Sequence, residues 1–413
     1  MPELPEVETI ARDLRGLVSG ALIVGARSNW AATLRNRAPE DFAAAVSGRE
    51  IEGVGRRGKQ LLVWLGPRGG PTDAVGGAAS KAAHAVRAGS VGRTSAGATG
   101  AAPSPGATGA SSRSVDPDEA EPAVLTVHLK MTGQLFVVAA GTPEDRHVHV
   151  VLVLADGREI RYRDIRKFGR MGLYPRDPAT GLPVEGVAAG VLAAGAEPLA
   201  DEFTAARFAA LLAGRRGRLK TLLLNQDFLA GVGNIYADES LWRARLHPLR
   251  NAQAVSFGEA RRLHAALRDV LAEAVERRGS SVDDYTAPEG DGSMQEHLAV
   301  YQRAGEPCLR CGRSIRRIVV GGRSTHFCGW CQRLPAAQRA SAAALLRSAA
   351  ASAGISTGRG PRWTELSGEG ALGRSRAEEA HAADKAEERA RRVAAARRAA
   401  ATRRAAARAG GPA

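Results

Sequence analysis

The chain opens Met1-Pro2-Glu3, and Glu6 follows one helical turn later. A small second residue permits removal of Met1, which leaves the secondary amine of Pro2 as the N-terminus. An α-amino group titrates near pH 8, against about 10.4 for a lysine, so a useful fraction is neutral and nucleophilic at cellular pH. Attack of a secondary amine on a carbonyl-level carbon gives an iminium that is cationic without protonation, an electron sink for elimination. Glu3 and Glu6 are spaced to move protons beside it. The same residues equally suit a plain helix start whose carboxylates complement the dipole, so this pattern alone leaves both readings open.

Cys308-Leu-Arg-Cys311 and Cys328-Gly-Trp-Cys331 are two CxxC pairs separated by sixteen residues. Four thiolates at that spacing can surround one tetrahedral Zn²⁺, and a closed set of four cysteines keeps no position for substrate, so one structural zinc is expected. The run between the pairs is β-rich and basic, with Arg310, Arg313, Arg316, Arg317 and Arg323 in or beside it, which suits phosphate contact. Gly231-Val-Gly233-Asn234 lies between two helical stretches. It reads either as a turn offering backbone N–H groups and the Asn234 side chain to a phosphate at a helix start, or as an ordinary tight turn.

Groups this far apart need a scaffold to bring them together. The 413 residues, 44% of them hydrophobic, suffice for two domains plus extra segments and exclude a wholly disordered or collagen-like chain. Lys+Arg of 58 against Asp+Glu of 43 leaves a net charge of +15, which points to polyanionic partners such as nucleic acid or anionic membrane, or to acidic substrates. No run approaches the roughly 18 apolar residues of a spanning helix, and the N-terminus has neither a basic n-region nor an apolar h-region. A soluble, intracellular protein with no membrane contact is expected.

Residues 66–123 are almost all Gly, Ala, Ser, Pro and Thr, with no aromatic residue, and read as a disordered low-complexity insertion between two strand-like runs. A second biased segment, 334–413, reads as a disordered basic Ala/Arg-rich tail; from Arg333 onward sixteen Lys/Arg stand against seven Asp/Glu. Between them, apolar spacing predicts a helix over 4–15 and strands near 21–28, 50–56, 60–65, 124–130, 134–139, 147–155, 158–163 and 170–174. From 189 to 278 the period becomes helical, most clearly at 203–212, 219–224, 235–241 and 260–275. The fold class is therefore α+β, an N-terminal helix with a β-sandwich followed by a helical domain and a zinc hairpin.

Six motifs in order carry a resemblance: Met1-Pro-Glu-Leu-Pro-Glu-Val-Glu-Thr9, Arg57-Gly-Lys59, His128-Leu-Lys-Met-Thr-Gly133, Tyr162-Arg-Asp-Ile-Arg-Lys-Phe-Gly169, Ala230-Gly-Val-Gly-Asn-Ile-Tyr-Ala237 and Gly322-Arg-Ser-Thr-His-Phe-Cys328. Over residues 1–65 and 124–333 the chain resembles bacterial formamidopyrimidine-DNA glycosylases, repair enzymes for oxidised purines such as 8-oxoguanine and formamidopyrimidines. The resemblance implies a catalytic β-sandwich domain over 1–65 and 124–180, a helix-two-turn-helix domain over 189–285 and a zinc finger over 299–333. It also implies a monomer acting on double-stranded DNA with oxidised bases or abasic sites, cytoplasmic and nucleoid-associated in a bacterium.

In that family the N-terminal proline attacks C1′ of the damaged nucleoside, the base leaves, and the Schiff base undergoes β- and δ-elimination that cuts the strand on both sides. Pro2 matches this nucleophile, Glu3 the acid assisting ring opening or base departure, and Glu6 a neighbouring carboxylate. Lys59 matches the lysine assigned to proton transfer, and Arg323 the arginine linked to δ-elimination and to the lesion phosphate. Met131, Arg166 and Phe168 match the trio that fills the space vacated by a flipped nucleotide. Asn234, His147, Arg216 and Lys220 match further DNA-contacting positions. The sequence departs from the pattern at Lys130, where glycine is common, at Lys167, which stands for an arginine, and at Gln302, where glycine is usual. Met294 stands where the loop over the flipped base, about 286–296, often has an aromatic residue, so it bears on base preference.

Two other readings share much of this text. An endonuclease VIII-like glycosylase for oxidised pyrimidines has the same fold and proline chemistry, but Leu4, the Arg166-Lys-Phe168 trio and Glu306-Pro-Cys308 favour the purine enzyme. A non-catalytic DNA-damage binding protein on the same scaffold predicts loss of Pro2, Glu3 or Lys59, and all three are present.

Overall fold

Leu4, Val7, Ile10, Ala11, Leu14 and Val18 recur every three or four residues and form the buried stripe of α1 (Leu4–Val18). Pro5 lies in its first turn, where a missing N–H breaks no helical hydrogen bond. The computed structural model describes residues 2–69, 121–184, 192, 195–280 and 292–352. In it α1 packs against strands β1 (Leu22–Ser28), β2 (Arg49–Arg57), β3 (Gln60–Leu65), β4 (Ala123–His128), β5 (Gly133–Ala139), β6 (Val148–Leu154), β7 (Arg158–Asp164) and β8 (Arg170–Pro175).

The strands pair in the order β5-β7-β6-β1-β2-β3-β4-β8, all neighbours antiparallel. Pairing of β1 with β2 is confined to Leu22↔Glu50 and Ile23↔Arg49, so the ribbon divides there into two four-stranded halves. Both halves contribute to one core with α1, through Ile23, Leu152 and Tyr162 on one side and Val54, Leu61 and Leu125 on the other. This is the expected β-sandwich with its helix. Strands β3 and β4 pair along their whole length, from Gln60↔His128 to Leu65↔Ala123. The low-complexity insertion therefore leaves and re-enters the fold at one hairpin end; its residues 70–120 lie outside the described residues.

A second core gathers α3 (Ala205–Ala213), α4 (Leu219–Leu223), α5 (Asn234–Arg243) and α6 (Phe257–Glu276) around Phe208, Leu223, Tyr236, Leu241, Leu263 and Leu267. Ser256 and Glu259 cap α6 reciprocally. Leu4 belongs to this second core, so the first turn of α1 bridges the two layers. The hairpin β9 (Arg316–Val320) and β10 (Arg323–Phe327) turns on Gly321-Gly322, with φ of 56° and 75°, the left-handed pair that a two-residue turn demands.

Two elements differ from the sequence expectation. Helix α2 (Pro39–Val46) has no counterpart in it, although Pro39 in its first turn, Glu40, Asp41 and the buried pair Phe42 and Val46 explain the helix. The tail, read from 334 as a disordered basic arm with at most transient helix from its Ala and Arg content, forms a defined helix α7 (Ala336–Ser352). Residues 353–413 lie outside the described residues. Residues 1–343 form one compact unit, and residues 344–413 group separately. Among the described residues no helix is long and apolar enough to cross a membrane.

Candidate active site

The first turn of α1 runs into the start of α5. Glu3 is buried, and its carboxylate accepts the N–H of Ile235 at 3.0 Å and of Tyr236 at 3.5 Å. Such N–H groups have no partner inside their own helix and favour an anion. Residue 233 must be glycine for this approach, because a Cβ there would lie 2.2 Å from Glu3 Cδ. The N–H groups of Ile235 and Tyr236 are thus already taken by Glu3. Glu6 is equally buried: Oε2 accepts the Glu3 N–H at 2.8 Å, and Oε1 accepts the Tyr236 hydroxyl at 2.5 Å and the Ser280 N–H at 2.8 Å. The sequence does not single out Tyr236 or Ser280; only the position of Tyr236 two residues after Asn234 hints at it. Pro2, buried, lies directly before Glu3.

Lys59 sits in the two-residue turn joining β2 to β3, flanked by the Arg57↔Gln60 pair. Glu197 clamps this turn by accepting the Gly58 N–H at 2.5 Å and pairing with Arg57 at 3.1 Å and Arg56 at 2.7 Å. No sequence signal marks Glu197. Burial lowers the Lys59 ammonium from its usual range, with Arg323 and Lys130 adding to the fall while Glu3 and Glu6 oppose it. Burial raises the Glu3 carboxyl, against the pull of Lys59. The fields of Glu3, Glu6, Lys59 and Arg323 therefore overlap at one place. A carboxyl biased towards its acid form beside an amine biased towards its base form suits the one to give a proton and the other to take one.

Lys59 also lines a cavity of about 370 Å³ whose wall includes Arg35, His128, Lys130 and Arg170, with Asp227 as its one carboxylate. Burial, then Lys130 and Lys59, push the His128 imidazole down to about 3, so it is neutral at pH 7. Its Nδ1 accepts the Lys130 N–H at 3.1 Å, which leaves Nε2 as the donor. The cavity is dressed for an anion.

Arg323 is exposed at the tip of the zinc hairpin. Its neighbour Ser324 is held from the helical layer, its carbonyl accepting Lys220 Nζ at 2.8 Å and Asn234 Nδ2 at 2.9 Å. Lys220, expected on the DNA-contacting surface, is fully buried and pairs with Asp238 at 2.7 Å. Asp238 in turn accepts the His326 N–H at 2.8 Å. That lysine ties the hairpin to α5 and has no exposed surface for a phosphate. Met131 and Phe168 are 38% and 52% exposed, and Arg166, two residues before Phe168, has Nη1 3.5 Å from Met131 Sδ. His147 precedes β6, with its N–H on Asp145 Oδ1 at 2.7 Å, and Arg216 is exposed in the loop before α4.

The four cysteine sulfurs lie within 4.8 Å of one another, with Cys308 to Cys331 at 4.0 Å and Cys311 to Cys328 at 3.5 Å. Sulfurs about 2.3 Å from a tetrahedral Zn²⁺ stand roughly 3.8 Å apart, so Cys308, Cys311, Cys328 and Cys331 fit one zinc ion as a closed structural set. Trp242 Nε1 donates to Cys308 Sγ at 3.4 Å, an outer-shell support of the kind zinc thiolates use.

Three family models match the chain in order: the formamidopyrimidine-DNA glycosylase N-terminal domain over residues 1–171, the H2TH domain of the same enzymes over 194–286, and the zinc finger found in FPG and IleRS over 305–334. The chain belongs to the formamidopyrimidine-DNA glycosylase family. Among its relatives, the formamidopyrimidine-DNA glycosylase of Herpetosiphon aurantiacus is 41% identical, over 80% of this chain and 100% of the relative. That of Bacillus subtilis is 36% identical, over 80% and 99%. Among solved structures, the MutM (FPG) protein of Thermus thermophilus matches with TM-score 0.59 and 37% identity, over 80% of this chain and 98% of that one. A point mutant of Lactococcus lactis FPG, solved with DNA containing Fapy-dG, matches with TM-score 0.61 and 29% identity, over 81% and 100%. The family's zinc finger is therefore the closed four-cysteine cluster described above.

Proposed function

We propose that this family member is a base-excision repair enzyme, a bifunctional DNA glycosylase and abasic-site lyase that removes oxidised purines from duplex DNA as a monomer at the bacterial nucleoid. The observation that carries this reading is the buried Glu3 carboxyl, held at the start of α5 within the field of Lys59, with the buried Pro2 directly before it in the chain. With Met1 removed, the Pro2 amine forms a bond to C1′ of a flipped nucleotide while the bond from C1′ to the base breaks, and protonated Glu3 supplies the proton that this departure needs. The C1′–O4′ bond then breaks, the proton released from the Pro2 nitrogen passing to O4′, and in the resulting ring-opened iminium the C2′ proton is acidic. Lys59, whose ammonium burial biases towards the free amine, accepts it, and the 3′ phosphate leaves. A second proton loss expels the 5′ phosphate, with Arg323 beside it to stabilise the departing charge.

Met131, Arg166 and Phe168 are assigned to the vacated space in the duplex, the apolar pair as wedges and Arg166 as partner of the orphaned base. His147, Arg216, Asn234 and the basic cavity around His128 are assigned to phosphates, which supply affinity and orientation rather than base choice. Zinc, held by the four cysteines, is structural and fixes the hairpin that carries Arg323.

Borohydride trapping tests the reading. The mature protein is expected to form a covalent adduct on a duplex with one 8-oxoguanine opposite cytosine, and Pro2→Gly to form none. An adduct only with a thymine-glycol duplex would move the enzyme to oxidised pyrimidines. Tight binding with no adduct on either would make it a damage-binding protein.

A further inference from the structure

Asp164 is 1% exposed and saturated with donors. Its Oδ1 accepts the Thr132 hydroxyl at 2.5 Å and the Arg166 N–H at 3.2 Å, and its Oδ2 accepts the Gly169 N–H at 2.8 Å and the Tyr162 hydroxyl at 3.0 Å. Thr132 Oγ1 also accepts the Arg166 N–H, at 3.1 Å. Thr132 follows Met131, while Arg166 and Gly169 bracket Phe168. One buried carboxylate thus holds the two loops that present the exposed trio.

The two loops are built alike. Each turns on a lysine in the left-handed region immediately before its apolar residue, Lys130 with φ 55° before Met131 and Lys167 with φ 58° before Phe168. Each then closes on a glycine, and the Tyr162 hydroxyl explains why. A Cβ at residue 133 would lie 2.5 Å from the Leu129 carbonyl oxygen and 2.9 Å from the Tyr162 hydroxyl, and one at residue 169 only 1.6 Å from that hydroxyl. The glycines let both loops close over Tyr162 and Asp164. From behind, His149 joins the Asp164 carbonyl at 3.0 Å to Asn29 Oδ1 at 3.1 Å, which anchors the hub to the end of β1.

We propose that Asp164 is a positioning residue that makes the two loops a single insertion unit, so that Met131, Arg166 and Phe168 enter the duplex together. This rests on the void-filling assignment above. Loops tied before binding enter the duplex without a separate ordering cost for each, the general advantage of preorganisation. The tie also carries the Met131 loop into register with Arg166, whose main-chain N–H is shared between Asp164 and Thr132.

A double-mutant cycle reads this directly. Affinity for a duplex carrying a tetrahydrofuran abasic analogue opposite cytosine is measured for the mature full chain, M131A, F168A and M131A/F168A, and again with each in D164N and in the milder T132V. In the intact protein the combined loss is expected to fall short of the product of the single losses by about fivefold or more, because removing one wedge disables the joint insertion. In D164N and T132V that shortfall shrinks below about twofold. D164N is further expected to slow cutting of an abasic duplex about tenfold more than cutting of a single-stranded abasic oligonucleotide, where there is no stack to fill; general loss of structure would slow both alike. Single losses that simply multiply in the intact protein, or a shortfall that survives both D164N and T132V, would overturn the joint unit and leave the void-filling assignment standing. If neither M131A nor F168A weakens binding, both fall.

Discussion

Burial makes Glu3 hold its proton to higher pH than an exposed carboxyl does, and Lys59 release its own at lower pH. The signs decide the pH dependence. An acid that must be protonated for base departure loses function as pH rises through its raised pKa, so single-turnover excision of 8-oxoguanine should fall on the alkaline side. Glu3→Gln removes the ionising group; it is expected to lower excision by about 10²–10⁴-fold, the usual contribution of a general acid, and to abolish that alkaline limb. Cutting at a preformed abasic site needs no base departure and should suffer less. An alkaline limb that persists in Glu3→Gln would assign it to another group. At this scale the text is informative where a residue type is rare in its setting, as with a proline amine between Met1 and Glu3. It is uninformative where the partner is distant: nothing in the sequence distinguishes Lys220 facing a phosphate from Lys220 buried against Asp238.

Elements are readable from period. Strand-like apolar runs bounded by turn residues locate all eight sandwich strands, β3, β4 and β6 being buried nearly throughout, and helical spacing locates α1 and α3 to α6. Helix α2 escapes because it buries only one pair, Phe42 and Val46. The ties between elements escape altogether, since they depend on contacts between distant segments. Lys220→Met tests one of them. It leaves Asp238 buried without its cation, so it is expected to cost about 3–5 kcal/mol in urea unfolding. It should leave the salt slope of DNA binding unchanged, whereas removing a true phosphate contact lowers that slope by about 1. The zinc hairpin is the other such element. Chelation should remove one zinc per chain, measured by atomic emission, and release Arg323 from its place while the β-sandwich keeps its circular dichroism. Borohydride trapping on the damaged duplex should fall with the zinc content and return when zinc is restored.

At the scale of the whole molecule, the proposed catalysis needs the two layers and the hairpin to meet, and none of the groups assigned to it belongs to either low-complexity segment. Since Leu65 and Ala123 are register partners at the end of a continuous hairpin, replacing residues 70–120 by a short turn should leave trapping and cutting intact; lost activity in a folded variant would give that segment a role. The tail differs because it carries charge. Residues 353–413 hold thirteen Lys/Arg against seven Asp/Glu, enough to add phosphate contacts wherever the arm reaches along the duplex. Each contact contributes about 0.9 to the slope of log affinity against log salt. Deleting 353–413, which spares α7, is therefore expected to weaken binding to undamaged duplex at low salt and to flatten that slope. Single-turnover excision at saturating enzyme should not change, because no group of the proposed site lies in the arm. An unchanged slope would remove the arm from DNA binding and leave its positive charge without a part in the search.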